Sequence, residues 1–483
     1  SPLRQLRRLP LRPPRRPSPF AMLPTHTPLL ELPEQGINVL EPGIHGPLLA
    51  DLQGNIIKSH GRDYSVLLFL RWRPDQLAAA RQWLASFASH WITSALQQFE
   101  ESRRYREFGE PGSVFGSFFL SRIGYEALGF SGAAIPSDQP FRMGMRHDEL
   151  ARSLGDPPVS AWEQGYQEPC HALLELADDD LVRLLQTTNL ICQDLRGCAE
   201  ILHREDGFML RNAQGQTIEH FGYRDGISQP LFASSDIQKL REAGVSFDRW
   251  DPRAPLSLVL VRDPNGSHAH SFGSYLVLRK LEQNVRRFNA DVRQLADTLA
   301  IPPDQAGALA VGRFKDGTPV TGSAEAGLPG DNNFNYSDDA VGSRCPFHAH
   351  VRKSNPRGES ATAMGLSVDE ERNHRIVRRA MSYGSNQPAE EPETGSGLLF
   401  LCYQANIENQ FNFIQSRWVN AANFLEVGTG PDPLVGQPAG TQHWPLRWGE
   451  GQKRSYGFNL WVTLKGGDYF FAPSISSLLA LAP

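Results

Sequence analysis

An aspartate stands between two glycines in the run Phe221-Gly222-Tyr223-Arg224-Asp225-Gly226-Ile227-Ser228-Gln229-Pro230. Flanking glycines admit positive φ and let another plane approach the backbone, and the apolar neighbours Phe221, Ile227 and Pro230 favour a partly buried acid. Such a carboxylate can take a proton and return it at a reacting oxygen. Alone, an Asp-Gly pair equally marks a surface turn. Farther along, Cys345-Pro346-Phe347-His348-Ala349-His350-Val351-Arg352-Lys353 supplies imidazoles followed by cations, and Arg378-Arg379-Ala380-Met381-Ser382-Tyr383-Gly384 supplies guanidinium groups. Between them the stretches offer a histidine for a metal, an acid for proton transfer and an arginine for a developing negative charge.

His350 is one of fourteen histidines, so its setting must distinguish it. Phe347 to Lys353 alternates like an extended segment, which places His348 and His350 on one face. A zinc pair would need two more ligands at familiar spacing, and there is no Cys-x-x-Cys. A neutral imidazole also suits haem iron as an axial ligand. Arg352, Lys353 and Arg357 would then be apt partners for two propionates; the plain alternative is a hydrogen-bonded buried histidine before a solvated basic turn. Cys345 as a thiolate ligand would need a Phe-x-x-Gly-x-x-x-Cys-x-Gly context that is missing. The pattern predicts a helix over Val368 to Met381, opening on Asp369, Glu370 and Glu371 and closing on Arg375, Arg378 and Arg379. That order complements the helix dipole and gives Arg379 a structural reason.

Taken together, these stretches resemble the dye-decolorizing (DyP-type) haem peroxidases. Sequences of that family carry Gly-x-x-Asp-Gly, a later His-x-Arg-Lys-x-Asn-Pro-Arg run and an arginine shortly before Tyr-Gly. The likeness extends to Asp51-Leu52-Gln53-Gly54-Asn55-Ile56, to Gly312-Arg313 through Gly317-Thr318-Pro319, to Asn333-Phe334 and Asp338, to Leu398 through Gln404 and to Phe411 through Gln415. It spans Leu48 to Pro473. The resemblance implies one haem b per chain, with His350 as axial ligand and Arg352, Arg357 and Gly226 in contact with the cofactor. It implies that Asp225 and Arg378 activate hydrogen peroxide, and that bulky electron-rich dyes and phenols are the reducing substrates. An acid should orient the ligand ring; Glu408, in the helix expected after Tyr403-Gln404, is the candidate. The rival reading is a haem-binding or haem-delivery protein of the same fold with little turnover. Mere storage needs His350 and an apolar slot, so keeping both Asp225 and Arg378 argues against it.

The elements that must position these groups are strands alternating with amphipathic helices. Ser65 to Trp72 reads as a strand and Pro74 to His90 as a helix; Ser274 to Arg279 and Asn284 to Leu299 repeat that order. Further strands are expected at residues 113–120, 171–176, 397–403 and 458–464. The repeated order reads as an internal duplication of a ferredoxin-like β-α-β unit, and the resemblance implies an α+β fold of two such ferredoxin-like halves, antiparallel sheets with helices packed over them. The expected division is 48–250 for the half carrying the Asp225 motif and 251–483 for the haem-binding half. The long Gly-, Asp-, Asn- and Ser-rich segment from Gly312 to Cys345 is expected to cover the site rather than to act as a spacer.

Composition fits this reading. With 40% hydrophobic and 21% charged residues and a formal net charge of -5, the chain is an ordinary globular enzyme with no general attraction to nucleic acid. No run approaches the ~18 apolar residues of a membrane span. A homo-oligomer is compatible with this composition. Five scattered cysteines suggest reduced thiols and a cytoplasmic setting, although nothing in the composition bars a secreted form. Residues 1–21 hold six arginines, six prolines and no acid, which opposes both helix and core. This leader abuts Met22 and is expected to be dispensable, with an irregular segment at 22–47 and the fold proper starting near Leu48.

Overall fold

The structure is a computed structural model that describes residues 28–387 and 389–482. The basic leader 1–21 lies outside the described residues. The first half contains β1 (Tyr64–Trp72), β2 (Phe115–Leu120), β3 (Ala172–Asp178) and β4 (Ala199–Phe208). They pair antiparallel in the order β4-β1-β3-β2, with the helix Leu77–His90 following β1 and the helix Leu181–Leu195 following β3. This is the β-α-β-β-α-β ferredoxin-like arrangement. Val66 to Leu70 are buried without a break, which is why β1 reads as a continuous apolar run rather than an alternating one.

The second half repeats the order. A two-residue edge, β5 (Val261–Arg262), precedes β6 (Phe272–Gln283). Then come β7 (Val377–Arg378), β8 (Met381–Tyr383), β9 (Gly397–Gln404), a hairpin of β10 (Gln442–Pro445) and β11 (Lys453–Tyr456), and finally β12 (Val462–Ala472). Here β12-β6-β9-β8 reproduces the order of the first half, with the helix Val285–Leu299 after β6. Its predicted apolar face of Val285, Phe288, Val292, Leu295 and Leu299 is buried, and Asn284 caps it by accepting from the Arg287 N–H. Single pairings join the sheets at both edges, Leu120 to Phe471 and Phe208 to Ser382, so strand pairing closes into a ring.

The Asp51–Ile56 segment bridges the two sheets. The Gln53 amide donates to the carbonyls of Phe118 and Pro473 and accepts from Phe118 N–H, while Asp51 accepts from Ser271 and Ser476. Packing also begins earlier than Leu48, because Ile37 is buried and its N–H donates to the Phe232 carbonyl.

Three local expectations are corrected. The last strand starts at Val462, and Phe458 fills the core from a loop instead. The stretch around His350 is not extended: His350–Ser354 is a short helix. His348 lies in the turn before this helix, so the alternation that would put both rings on one face is absent. His348 is buried against Trp444, ring centroids 4.2 Å apart. Lastly, the helix from Val368 stops at Arg372, started by a Ser367/Glu370 capping box. β-Branched Ile376 and Val377 then follow, and Val377 and Arg378 pair with Tyr403 and Cys402 of β9. Arg378 is thus a strand residue, with no helix dipole to serve.

Candidate active site

The sites picked out in the sequence meet at one cavity, which offers about 290 Å³ to the centres of water molecules. Asp225, Gly226, His350, Arg357 and Arg378 all line it; Arg352 and Glu408 do not. Apolar walls come from Val311, Val351, Leu398, Phe400, Ile414 and Val435. What accessible surface His350, Asp225 and Arg378 retain (32%, 22% and 30% of their side chains) faces this space.

One wall carries the acid and the arginine. Asp225 follows a tight hairpin in which Ile218 bridges Arg224, and its N–H donates to the Thr217 carbonyl. Asp225 Oδ1 accepts from Arg378 Nη1 at 2.5 Å and from the Gly226 N–H at 2.7 Å. Burial pushes the carboxyl upward, but the Arg378 charge, its hydrogen bond and the Gly226 donor outweigh it and hold Asp225 below the ordinary range. The loop is tied to β7 and β8: Arg378 N–H donates to Gln229 Oε1, and a His220 ring nitrogen bonds the Tyr383 carbonyl.

His350 lines the same cavity. Its Nδ1 lies 2.7 Å from Asp432 Oδ2, and Asp432 is fully buried. An ionised carboxylate only accepts, so Nδ1 carries the proton and the Nε2 lone pair is left for the cavity. Burial lowers the imidazole's proton affinity, but Asp432 more than compensates, and the net shift is upward. Asp432 Oδ1 is fixed by the N–H groups of Leu434 and Val435. Lys353 Nζ donates to the carbonyls of Val419, Ala421 and Gly430, which fastens the same loop.

The acid behind His350 is therefore Asp432, and the expectation of Glu408 is overturned. Glu408 is exposed in the turn after β9 and does not line the cavity, and the His350 Nδ1 position is taken by Asp432. Asp432 stands between prolines in Gly430-Pro431-Asp432-Pro433, and that rigid turn was the one available signal.

Arg352 is likewise corrected. It is fully buried and pairs with Asp339 at 2.8 Å and Glu359 at 2.5 Å, so its charge is already compensated away from the cavity. Arg357 differs. Its donors go to the carbonyls of Asn332 and Phe334, to Asn332 Oδ1 and to Ser228 Oγ. Arg313 and Arg375 line the cavity as well and escaped the sequence argument. Arg313 donates to the Gly317 and Asp331 carbonyls and to Asn332 Oδ1; Arg375 donates to the Arg372 and Arg253 carbonyls. Among the described residues none of the three has a carboxylate partner. Burial pushes them down, to about 10 for Arg313 and about 9 for Arg357 and Arg375. They stay protonated at neutral pH, so the cavity carries uncompensated positive charge. From the 312–345 segment Arg313 lines the cavity, while Asn332 and Phe334 hold Arg313 and Arg357 in place.

Cys345 is buried outside the cavity, with burial pushing its thiol up to about 12, so a thiolate ligand is ruled out on geometry. Among the described residues no three His, Cys, Asp or Glu side chains converge to hold a bare metal ion.

The family model for the C-terminal part of Dyp-type peroxidases matches residues 253–426. The multifunctional dye peroxidase DyP2 of Amycolatopsis sp. (strain ATCC 39116 / 75iv2) is 38% identical over 456 residues, covering 90% of this chain and 96% of the relative. The chain belongs to the DyP-type peroxidase family. The crystal structure of the Anabaena sp. DyP-type peroxidase superposes on it with a TM-score of 0.92 at 57% identity, covering 94% of this chain and 99% of that one. A dye-decolorizing peroxidase solved in complex with 2,6-dimethoxyphenol gives a TM-score of 0.74 at 26% identity, over 90% of this chain and 99% of that one. The α+β fold of two ferredoxin-like units is thus that of the DyP-type peroxidases, which are haem enzymes. The cavity of this peroxidase fits such a group: one imidazole lone pair, an apolar slot, and Arg313, Arg357 and Arg375 without a carboxylate partner among the described residues.

Proposed function

We propose that this peroxidase binds one haem b per chain on His350 and uses Asp225 and Arg378 to activate hydrogen peroxide. The observation that carries the reading is the convergence of His350 and the Asp225–Arg378 pair on one cavity in which Arg313, Arg357 and Arg375 have no carboxylate partner among the described residues. Bound haem supplies the electrons that reduce hydrogen peroxide to water and takes them back from an aromatic reductant. His350 Nε2 faces the iron position, held by Asp432. Asp225, ionised, takes the proton from the nearer peroxide oxygen and delivers it to the departing one, as a general acid–base must. Arg378 meets the negative charge that develops on that oxygen. Arg357, Arg313 and Arg375 would hold the propionates, and Gly226, with no side chain, would not obstruct the cofactor. The absence of Cys-x-x-Cys-His in the sequence fits non-covalent haem.

The reducing substrates are bulky dyes and phenols, as the names of the relatives suggest. The haem-delivery alternative gains nothing from an acid and an arginine turned toward the cavity. The chain division at 250/251 is our reading of the repeated strand order, and the five free thiols fit a reducing, cytoplasmic setting.

One absorption spectrum with and without peroxide tests the assignment. His350→Ala should lose haem or hold it loosely, while His348→Ala and His374→Ala keep it. A normal ferric spectrum at full occupancy in His350→Ala would refute the ligand.

A further inference from the structure

Glu219 lines the cavity beside Asp225 and has no place in the peroxide step outlined above. Its Oε1 accepts from the Tyr223 N–H at 2.9 Å; its Oε2 accepts from the Phe221 N–H at 2.9 Å and from Gln283 Nε2 at 2.5 Å. Glu219 N–H in turn donates to the Tyr223 carbonyl, and Gly222 N–H to the Glu219 carbonyl. The loop can curl round the carboxylate because Gly222 takes φ +91°. Phe221 is pinned by stacking on Phe288, centroids 3.9 Å apart. Backbone N–H groups turned inward in this way form a concavity that selects an anion.

We infer that Glu219 is a positioning residue for Asp225: its ionised carboxylate holds the Thr217–Asp225 hairpin in the shape that presents Asp225 to the cavity, and protonation releases that hold. The inference rests on Asp225 being the acid–base group of the proposed function.

A second observation points the same way. Gln283 Oε1 is buried without a hydrogen-bond partner, because the amide commits its donor side to Glu219. A reversed amide would satisfy that oxygen only if Glu219 carried a proton, so the pair has two self-consistent arrangements. The charged groups facing Glu219 are few. Asp225 shares its loop, and β6 presents only neutral Gln283. The Lys315 side chain lies on the Gly222 side, its Nζ 5.9 Å from the Tyr223 ring, and His220 is turned away toward the Tyr383 carbonyl. The helix Val285–Leu299 adds Phe288, which is neutral.

Burial lifts Glu219 above the ordinary carboxylate range despite its three donors, whereas Asp225 lies below it. As pH falls, Glu219 therefore protonates first. One oxygen becomes a hydroxyl, an N–H loses its acceptor, and Asp225 drifts while still ionised. The rate of the peroxide step should fall in two stages.

Stopped-flow mixing of holoenzyme with hydrogen peroxide across pH, paired with infrared titration of protonated carboxyl groups in the resting holoenzyme, tests this. Wild type should show the upper stage together with a new carboxyl band at the same pH. Glu219→Gln should slow the step by ~10- to 10²-fold, the scale of a small misplacement, and lose both the upper stage and the band. Gln283→Leu keeps the carboxylate but removes a donor, so stage and band should move together to higher pH. A wild-type rate and an intact upper stage in Glu219→Gln would overturn the inference; should that variant not fold, an unmoved stage in Gln283→Leu would overturn it equally. Asp225→Asn separates the two readings: an unslowed Asp225→Asn defeats the acid–base assignment itself, while a slowed one beside an unaffected Glu219→Gln defeats only the role of Glu219.

Discussion

The two walls of the cavity each hold an acid hydrogen-bonded to a base, yet they are built oppositely. On the His350 wall the acid is sealed: Asp432 is fully buried, its second oxygen is fixed by backbone donors, and only the imidazole reaches the cavity. On the other wall both partners, Asp225 and Arg378, face the cavity. A sealed acid can do nothing except orient and polarise its partner. An acid that shares the cavity can exchange a proton with what enters. The same 2.5–2.7 Å contact thus serves a holding role on one side and a reactive role on the other.

The largest effect should come from breaking the reactive wall. Asp225→Asn should slow the peroxide step by ~10²–10⁴, the span of a removed acid–base group, with haem content unchanged. Arg378→Leu should cost about 10²–10³, as for a lost charge-stabilising donor, and should also move the pH profile. The sign follows from the causes. Arg378 holds Asp225 ionised below the ordinary carboxylate range, so wild-type proton acceptance by Asp225 is lost only as pH falls through that lowered value. Without Arg378, only the Gly226 donor and the nearby His350 still oppose burial, so the value rises and the loss must occur at higher pH. Rate constants for peroxide consumption from pH 3 to 8 would decide; an unchanged lower stage in Arg378→Leu would mean that the ion pair does not tune Asp225.

The holding wall should respond more weakly. Asp432→Asn leaves the ring a hydrogen-bond partner but removes the charge, and losing such an outer partner costs about 10–100-fold in metal affinity or activity. Haem transfer to an apo-globin acceptor measures the first. The ferric and ferrous spectra would also report a less electron-rich imidazole, a change that Glu408→Gln should not produce. Equal behaviour of the two variants would refute the role of Asp432.

Much of the fold was legible because its signals are local. β1 is set by a continuous apolar run, the helices Leu77–His90 and Val285–Leu299 by apolar periodicity, and the latter also by its Asn284 cap, all of which a sequence displays directly. The motif residues Asp225, His350 and Arg378 were placed by pattern, and the cavity gathers all three. What failed was everything decided by distant partners. Arg378 became a strand residue because β9 pairs with it, against a convincing charge pattern for a helix. Asp432 could not be singled out because its only distinguishing contact spans 82 positions of chain. Glu408 was nearer to a recognised motif and still wrong, since proximity along the chain says nothing about which way a turn faces.

The finest distinction concerns Arg352 and Arg357, five residues apart and assigned the same task by sequence. Arg352 is fully buried between Asp339 and Glu359, whereas Arg357 reaches the cavity with carbonyl, amide and hydroxyl partners only. An ion pair already satisfied internally has no free energy to gain from a ligand, while a desolvated cation without a counter-ion gains from any anion that arrives. The two variants should therefore separate stability from cofactor binding. Arg352→Leu leaves Asp339 buried without its partner and should destabilise the protein by about 3–5 kcal/mol, read as a lower denaturation midpoint, while the fraction that stays folded retains haem normally. Arg357→Leu relieves an unpaired charge and should leave the haem-free protein as stable as wild type or more so. It should nevertheless release haem several-fold faster, by an amount that high salt reduces. Identical haem release from the two variants would mean that the cavity cations do not pair with the cofactor, and that the positive charge there serves the entry of anionic substrates instead.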